Sequence, residues 1–449
     1  MELRVEATAP KAATERQASK GTRILLWMLL LLAVCEFAIR GPLRFPYSAN
    51  WNDLAQNYAA TRLWLRGQNF VRPENFASLW DEEVHETLNP GTIRTHLAPP
   101  PGTLVLLAPS AVLPWDAAKL AWEGLLVAAA GTIIWSLARL VGFTKNQPEA
   151  YGFVAFCLAL APLHTGIAGG NETIIVVALC TLGMLAGSEG RDVLAGVMFG
   201  AACSLKPHIA AFLLLYYLLR RRWLLLTVVV AFGTLLVLIV ILRSQVAGVS
   251  WVHDYFHNIQ ILSTYNKIDD FTSANPIRFL LINLQVVFYS YTSSAASANI
   301  LALATGALLV AVWICLTVRL TATEAEILAL SAIAVIGLLP VYHRLYDASI
   351  LAIPVCWCMS ELTGEMKTVA RAALILMVPF LFPGAAVLQQ LARNGRIPES
   401  WLSTWWWEGL VMPHQTWFLL LLVLVLLYAL NRKHSQIVSK IIFAGKDPE

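Results

Sequence analysis

Residues 193–242 read VLAGVMFGAACSLKPHIAAFLLLYYLLRRRWLLLTVVVAFGTLLVLIVIL. The end of this stretch, 223–242, is an uncharged apolar run, and about 20 such residues in a helix cross the hydrocarbon core of a bilayer. The part before it carries Lys206-Pro207-His208 at its middle and closes on Arg220-Arg221-Arg222. Two threadings compete. One long kinked helix would leave Lys206 at mid-membrane and the three arginines outside. Two short legs turning at Lys206-Pro207 would put the lysine near the outer surface and keep the arginines inside. Proline ends or kinks a helix, and basic residues collect on the cytoplasmic side. The hairpin is the better reading.

Composition agrees with a membrane setting. Of the 449 residues, 58% are hydrophobic and 13% charged, whereas soluble domains carry about 25% charged residues. The apolar runs are continuous rather than alternating, which selects helices over a β-barrel. The seven cysteines fall inside apolar runs and form no CxxC pair, so neither a disulfide framework nor a zinc motif is indicated. A formal net charge of +4 is uninformative about partners. No nucleotide-binding loop or nucleic-acid patch is present, so no nucleic-acid partner is expected.

Threading outward from the hairpin gives a single polytopic domain, all-α, with about 12 transmembrane helices when the hairpin legs count as two. Lys11, Arg16, Lys20 and Arg23 precede or open the first apolar run, making residues 1–22 a cytoplasmic tail by the positive-inside rule. With no cleavage site after it, that run is expected to stay as the first helix. Residues 41–116 are then an external loop, 243–295 a second external region, 389–413 a third external loop and 431–449 a cytoplasmic tail. Within the first loop, 53–66 repeats apolar residues at helical spacing and is expected to lie flat at the interface. Residues 104–113, interrupted by Pro109, are too short to cross and suggest an interfacial or re-entrant segment.

This threading brings Asp53, His96, Asn171, Glu172, Lys206, His208, Asp254 and the segment Tyr342-His343-Arg344-Leu345-Tyr346-Asp347 to the external face. Ionisable groups at a membrane edge are costly and tend to be functional. Asp53 follows Asn50-Trp51-Asn52 at a helix start, where it serves equally well as a cap or as a chemical group. Arg344 needs a partner, either Asp347 or an anionic ligand such as phosphate, for which His343 and Arg344 are suited donors. Lys206 and His208 either snorkel or bind phosphate. Asn171-Glu172 open a helix. Asp81-Glu82-Glu83 reads as a solvated acidic face. His253 and His257 have metal-like spacing but lack a third ligand, so no metal site is assigned and metal dependence stays open. The tryptophans of 401–407 mark an interfacial belt.

The order of these features resembles a known family. Asn52-Asp53-Leu54 comes early in the external loop, an alanine-rich helix ends at Arg66-Gly67, and Ala98-Pro99-Pro100-Pro101 precedes an apolar stretch closing at Leu113-Pro114. Gly170-Asn171-Glu172, then Ser204-Leu205-Lys206-Pro207, then His343-Arg344 after Leu339-Pro340 complete it. The chain is similar over residues 20–360 to the bacterial GT-C-fold glycosyltransferases of family 87, the polyprenyl-phosphate-mannose-dependent mannosyltransferases. It departs from the family's pattern at His96-Leu97-Ala98, at Asn171-Glu172 and in the His343-Arg344 segment. The resemblance implies a GT-C-like fold with external juxtamembrane helices in the bacterial inner (plasma) membrane, both termini cytoplasmic and the active site facing the periplasm. It implies a polyprenyl-phosphate-sugar donor, a glycolipid or glycan acceptor, and inverting transfer without a cofactor. Asp53 would be the general base, and His343, Arg344, Lys206, His208, His96, Asn171, Glu172 and Tyr342 would bind donor phosphate or substrate. The alternatives are a lipid-linked-glycan flippase, which would need functional polar residues in the cytoplasmic half as well, and a polysaccharide ligase or polymerase.

Overall fold

The computed structural model describes residues 20–47, 52–84, 99–262, 269–320 and 325–444. The described chain is helical; its only strand-like pairing is an isolated bridge between Leu281 and Arg344. Five described helices are long and apolar enough to cross a membrane: Lys20–Phe45, Trp115–Leu140, Trp223–Val246, Ala295–Thr317 and His414–Gln436. Two bent pairs, Pro148–Ala159 with Ala161–Ala168 and Lys367–Leu381 with Gly384–Arg393, raise the number to seven. The expected count of about 12 is not reached by length alone, because a crossing helix needs about 20 residues. The remaining apolar helices, Thr173–Ser188, Asp192–Leu205, Pro207–Leu219, Glu326–Gly337 and Leu345–Ser360, are shorter.

A lipid-facing shell is evident in side-chain exposure. On Trp223–Val246, Leu224, Val230, Leu235, Leu238 and Leu242 all point outward, as do Leu29, Leu31 and Leu32 on the first helix. A contiguous apolar surface of this kind requires a non-aqueous environment. Inside the shell, helices approach closely at glycines. A Cβ on Gly196 would lie 2.6 Å from Val228 Cβ, and one on Gly183 would lie 2.7 Å from the Phe199 ring. Small residues at such crossings let backbones pack where hydrophobic burial cannot drive association.

Residues 192–219 form the expected hairpin. Asp192–Leu205 ends at Lys206, and Pro207 starts the next helix at its first position, where a missing N–H costs nothing. The residue before a proline is pushed out of helical geometry, and Lys206 is extended at φ −141°, ψ 88°. The legs fold back, so that Arg222 Nε donates to Asp192 Oδ1 at 3.0 Å and Phe199 meets Tyr217 at 5.3 Å between ring centroids. The open ends of the hairpin gather basic residues: Arg139 pairs with Glu189, and Arg220 caps the Leu320 carbonyl. Lys206 sits at the opposite end.

Above the hairpin tip, the loop helices Asn52–Leu65, Pro73–Glu83 and Pro101–Ala111 form a cap. Here the structure corrects two expectations. The Asn52–Leu65 helix has no wet face along its first half; its side chains from Leu54 to Thr61 are buried, including polar Gln56, Asn57 and Thr61. The reason is that its polar face looks into a polar site rather than into water, with Asn57 Nδ2 donating to Glu172 Oε2 at 3.2 Å. Glu83 is likewise no solvated acid: it pairs with Arg62 at 2.7 Å and with Arg66. The 243–295 segment is tied to the 41–116 segment by Asn69 and Arg72 on Asp254, each at 2.9 Å, and by the Phe70–Trp251 contact. Arg278, pairing with Glu408 at 3.0 Å, ties it to the 389–413 segment. Trp401 and Trp405 are exposed as a belt requires, whereas Trp407 is buried.

Candidate active site

Asp53 begins in the first turn of the Asn52–Leu65 helix, and its carboxylate is fixed from the opposite side of the molecule. Asn171 Nδ2 donates to Asp53 Oδ2 at 2.5 Å. Asn171 is in turn placed by its own backbone: Gly170 adopts φ +65°, and its carbonyl accepts the Trp122 indole N–H at 2.8 Å. Asn171 Oδ1 accepts the Thr173 N–H at 2.9 Å, closing a side-chain turn that starts the Thr173–Ser188 helix. A side chain at 170 would be strained by the left-handed backbone and would meet Leu54 Cβ at 3.3 Å. Gly170→Ala should therefore destabilise the fold by about 1–2 kcal/mol, read as a lowered thermal midpoint in detergent.

Lys206 reaches this turn from the hairpin tip. Its Nζ donates to Asn171 Oδ1 at 2.9 Å, to Thr173 Oγ1 at 2.7 Å and to Asp347 Oδ1 at 3.3 Å, and stands 3.7 Å from Glu172 Oε1. The ammonium also lies over the Tyr346 ring at 4.7 Å. Asp347 is the most enclosed acid of the group. Oδ1 accepts Thr173 Oγ1–H at 2.7 Å, and Oδ2 accepts the Arg344 backbone N–H at 3.0 Å and lies 3.3 Å from His343 Nδ1. Of the two partners open to Arg344, Asp347 meets its backbone N–H rather than its guanidinium. Arg344 Nε is buried with no hydrogen-bond partner, and its charge acts on Tyr342, Tyr346, Asp53 and Asp269.

These groups surround a cavity of about 420 Å³. Asp53, Asn57, Asn171, Glu172, Lys206, His208 and Tyr342 line it, while Pro99, Pro100, Leu205, Pro207 and Val341 form an apolar wall. That volume suits a small ligand, and apolar lining with a few convergent polar groups is the usual make-up of a binding site. Of the residues expected from sequence, Asp53, Asn171, Glu172, Lys206, His208 and Tyr342 meet on this one cavity. His343 lies behind it, its ring 4.9 Å from that of His208. His96, with Asn50 and Trp51, falls outside the described residues. Asp269, Thr173, Asn57 and Tyr346 join the site without having been singled out as candidates. Burial pushes the Asp269 carboxyl up to about 6, with Arg344 opposing the shift. Three groups bring metal-ligating atoms within 4.8 Å of one another: His208, His343 and Asp347.

A family model described as glycosyltransferase family 87 matches residues 99–345. That is more than half of the sequence. The chain belongs to glycosyltransferase family 87. As a family 87 member it is a multi-pass membrane glycosyltransferase, an enzyme that brings a sugar donor and an acceptor together. The match takes in Asn171, Glu172, Lys206, His208, Tyr342, His343 and Arg344, while Asp53 and Asp347 lie beyond its two ends. No curated protein and no solved structure matches the chain.

Proposed function

We propose that this family 87 glycosyltransferase moves a hexose, mannose by the family resemblance, from a polyprenyl-phosphate donor to a lipid or glycan acceptor. The reaction takes place at the external surface of the bacterial inner membrane, with inversion. The observation that carries this reading is the cavity itself, which sets one exactingly held carboxylate, Asp53, across from cationic and imidazole groups beside an apolar wall. In the proposed step the acceptor oxygen attacks the anomeric carbon, its proton passes to Asp53, and the bond from that carbon to the phosphate oxygen breaks. The electron pair leaves with polyprenyl phosphate. The transition state is oxocarbenium-like, so the leaving phosphate needs charge stabilisation more than it needs an acid.

Lys206 is committed to Asp347, Thr173 and Asn171, which favours a role in holding the turn over direct phosphate binding. Arg344, whose buried Nε has no hydrogen-bond partner, is the better phosphate donor. The arginines gathered at the far end of the hairpin support a cytoplasmic placement for that end and for both termini. The deciding experiment is transfer from a panel of radiolabelled polyprenyl-phosphate sugars to membrane glycolipids by purified protein. One donor should be consumed; transfer from none of them would overturn the proposal.

Asp269 gives this reading a pH dependence. Its carboxyl is neutral below about 6 and ionised above. An ionised Asp269 adds negative charge to a cavity meant for an anionic donor. The donor KM should therefore be lowest below about pH 6 and rise above it by roughly tenfold, the equivalent of about 1.4 kcal/mol. Asp269→Asn should flatten the profile; a profile unchanged by the substitution would remove Asp269 from the donor site. The stability contribution has the same sense. A carboxyl raised from its usual 3.8 supports the fold fully below the unfolded value and loses that support as pH rises through about 6.

A further inference from the structure

We propose that His208, His343 and Asp347 form a binding site for one divalent transition-metal ion beside the donor cavity. The argument starts from the hydrogen bonds of His343. Its Nε2 lies 3.1 Å from the Gly337 carbonyl oxygen, an acceptor only, so Nε2 carries a proton. In the neutral ring, Nδ1 then turns a lone pair toward Asp347 Oδ2, 3.3 Å away. Two acceptors face each other, and a cation belongs between them. A proton there would make a charge-assisted hydrogen bond, for which about 2.7–2.9 Å is usual. Two ligand atoms each about 2.0–2.1 Å from one tetrahedral metal stand about 3.3–3.4 Å apart. The observed separation matches the metal.

The surroundings fit the same assignment. His208 supplies a third donor, its Nε2 buried without a hydrogen-bond partner and its ring packed against His343. Histidines that bind metals commonly give their second N–H to a backbone carbonyl, and ligating carboxylates are themselves hydrogen-bonded. His343 does the first through Gly337, and Asp347 does the second through Thr173, Lys206 and the Arg344 N–H. Two imidazoles and one carboxylate suit zinc, cobalt or ferrous iron better than magnesium or calcium. Three protein ligands also leave a coordination position for water or a substrate oxygen. Charge points the same way, here resting on the proposed anionic donor. Asp53, Glu172 and Asp347 oppose Lys206 and Arg344, with Asp269 adding to the negative side when ionised. A divalent ion would reverse that balance before a phosphate arrives.

The test is an optical titration of metal-stripped, purified full-length protein with Co²⁺, without donor. Wild type should bind one Co²⁺ per chain with the visible bands of a four-coordinate site, and Zn²⁺ should displace it. His208→Asn should lose the bands, and Thr173→Val, which loosens Asp347 without removing a ligand, should weaken binding by roughly 10- to 100-fold. Absence of the bands in wild type, or equal binding by His208→Asn, would overturn the site. Because cobalt binding is read without donor, its failure leaves the transferase reading intact. Failure of metal-loaded wild type to transfer any sugar would strike the transferase reading alone.

Discussion

Replacing Asp53 by Asn is expected to lower the turnover number by about 10²–10⁴-fold, the range a positioned general base contributes, with donor binding nearly unchanged. The substitution keeps the shape of the side chain and removes only its ability to take the acceptor proton. Asn171 Nδ2, which donates to Asp53 Oδ2 at 2.5 Å, retains an oxygen to bond in the variant. The turn at Gly170 and the contact with the Thr173–Ser188 helix should therefore survive. The measurement is single-turnover transfer alongside equilibrium binding of a non-transferable donor analogue. Retained turnover would remove Asp53 from the chemistry and return it to the role of a helix cap. A parallel loss of donor affinity would mean that Asp53 holds the donor instead of activating the acceptor. Glu172 also lines the cavity, as does Asp269, and its pairing with Asn57 and Lys206 makes it a less available base than Asp53.

Most of the fold class was legible because the bilayer leaves few choices. Fifty-eight per cent hydrophobic residues and unbroken apolar runs admit only helices. The hairpin at residues 192–219 was legible as well, since Pro207 and the arginine triplet each point to it by an independent physical rule. The number of crossings was not, because the Thr173–Ser188 and Glu326–Gly337 helices are apolar enough to be read as spans yet too short to be counted as such by length. Half of the site could be read from charged residues at membrane-edge breaks: Asp53, Glu172, Lys206 and His208 announce themselves there. Thr173 and Asp269 do not. The contact from Thr173 to Asp347 spans 174 positions, and nothing local distinguishes a helix-opening threonine that orients a carboxylate from one that merely starts a helix. The Asn52–Leu65 helix misled for a related reason. Gln56, Asn57 and Thr61 look like a wet face in a helical projection, and only the tertiary fold reveals that what they face is the cavity and its acids.

Replacing Lys206 by Met should be the most destabilising change in the site, at about 3–5 kcal/mol, the cost of breaking a buried ion pair from one side. The lysine side chain is 12% exposed and that of Asp347 1%, so water is poorly placed to replace the ammonium. Its removal strips Asp347 of a cationic partner and also frees the oxygens of Asn171 and Thr173. Catalysis should fall with it, because Asn171 is what holds Asp53. The ion pair and the positioning role separate in a double variant. In Lys206→Met with Asp347→Asn, the uncompensated charge is gone, and thermal midpoints in metal-free detergent buffer should rank wild type first, the double variant next and Lys206→Met last. Transfer should stay low in both variants, since neither restores the contact to Asn171. If the double variant is no more stable than Lys206→Met, the cost lies in lost hydrogen bonds and packing, and the Lys206–Asp347 pair contributes little. If the double variant regains transfer, Lys206 acts only through the charge on Asp347, and the chain from the hairpin tip through Asn171 to Asp53 is not what places the base.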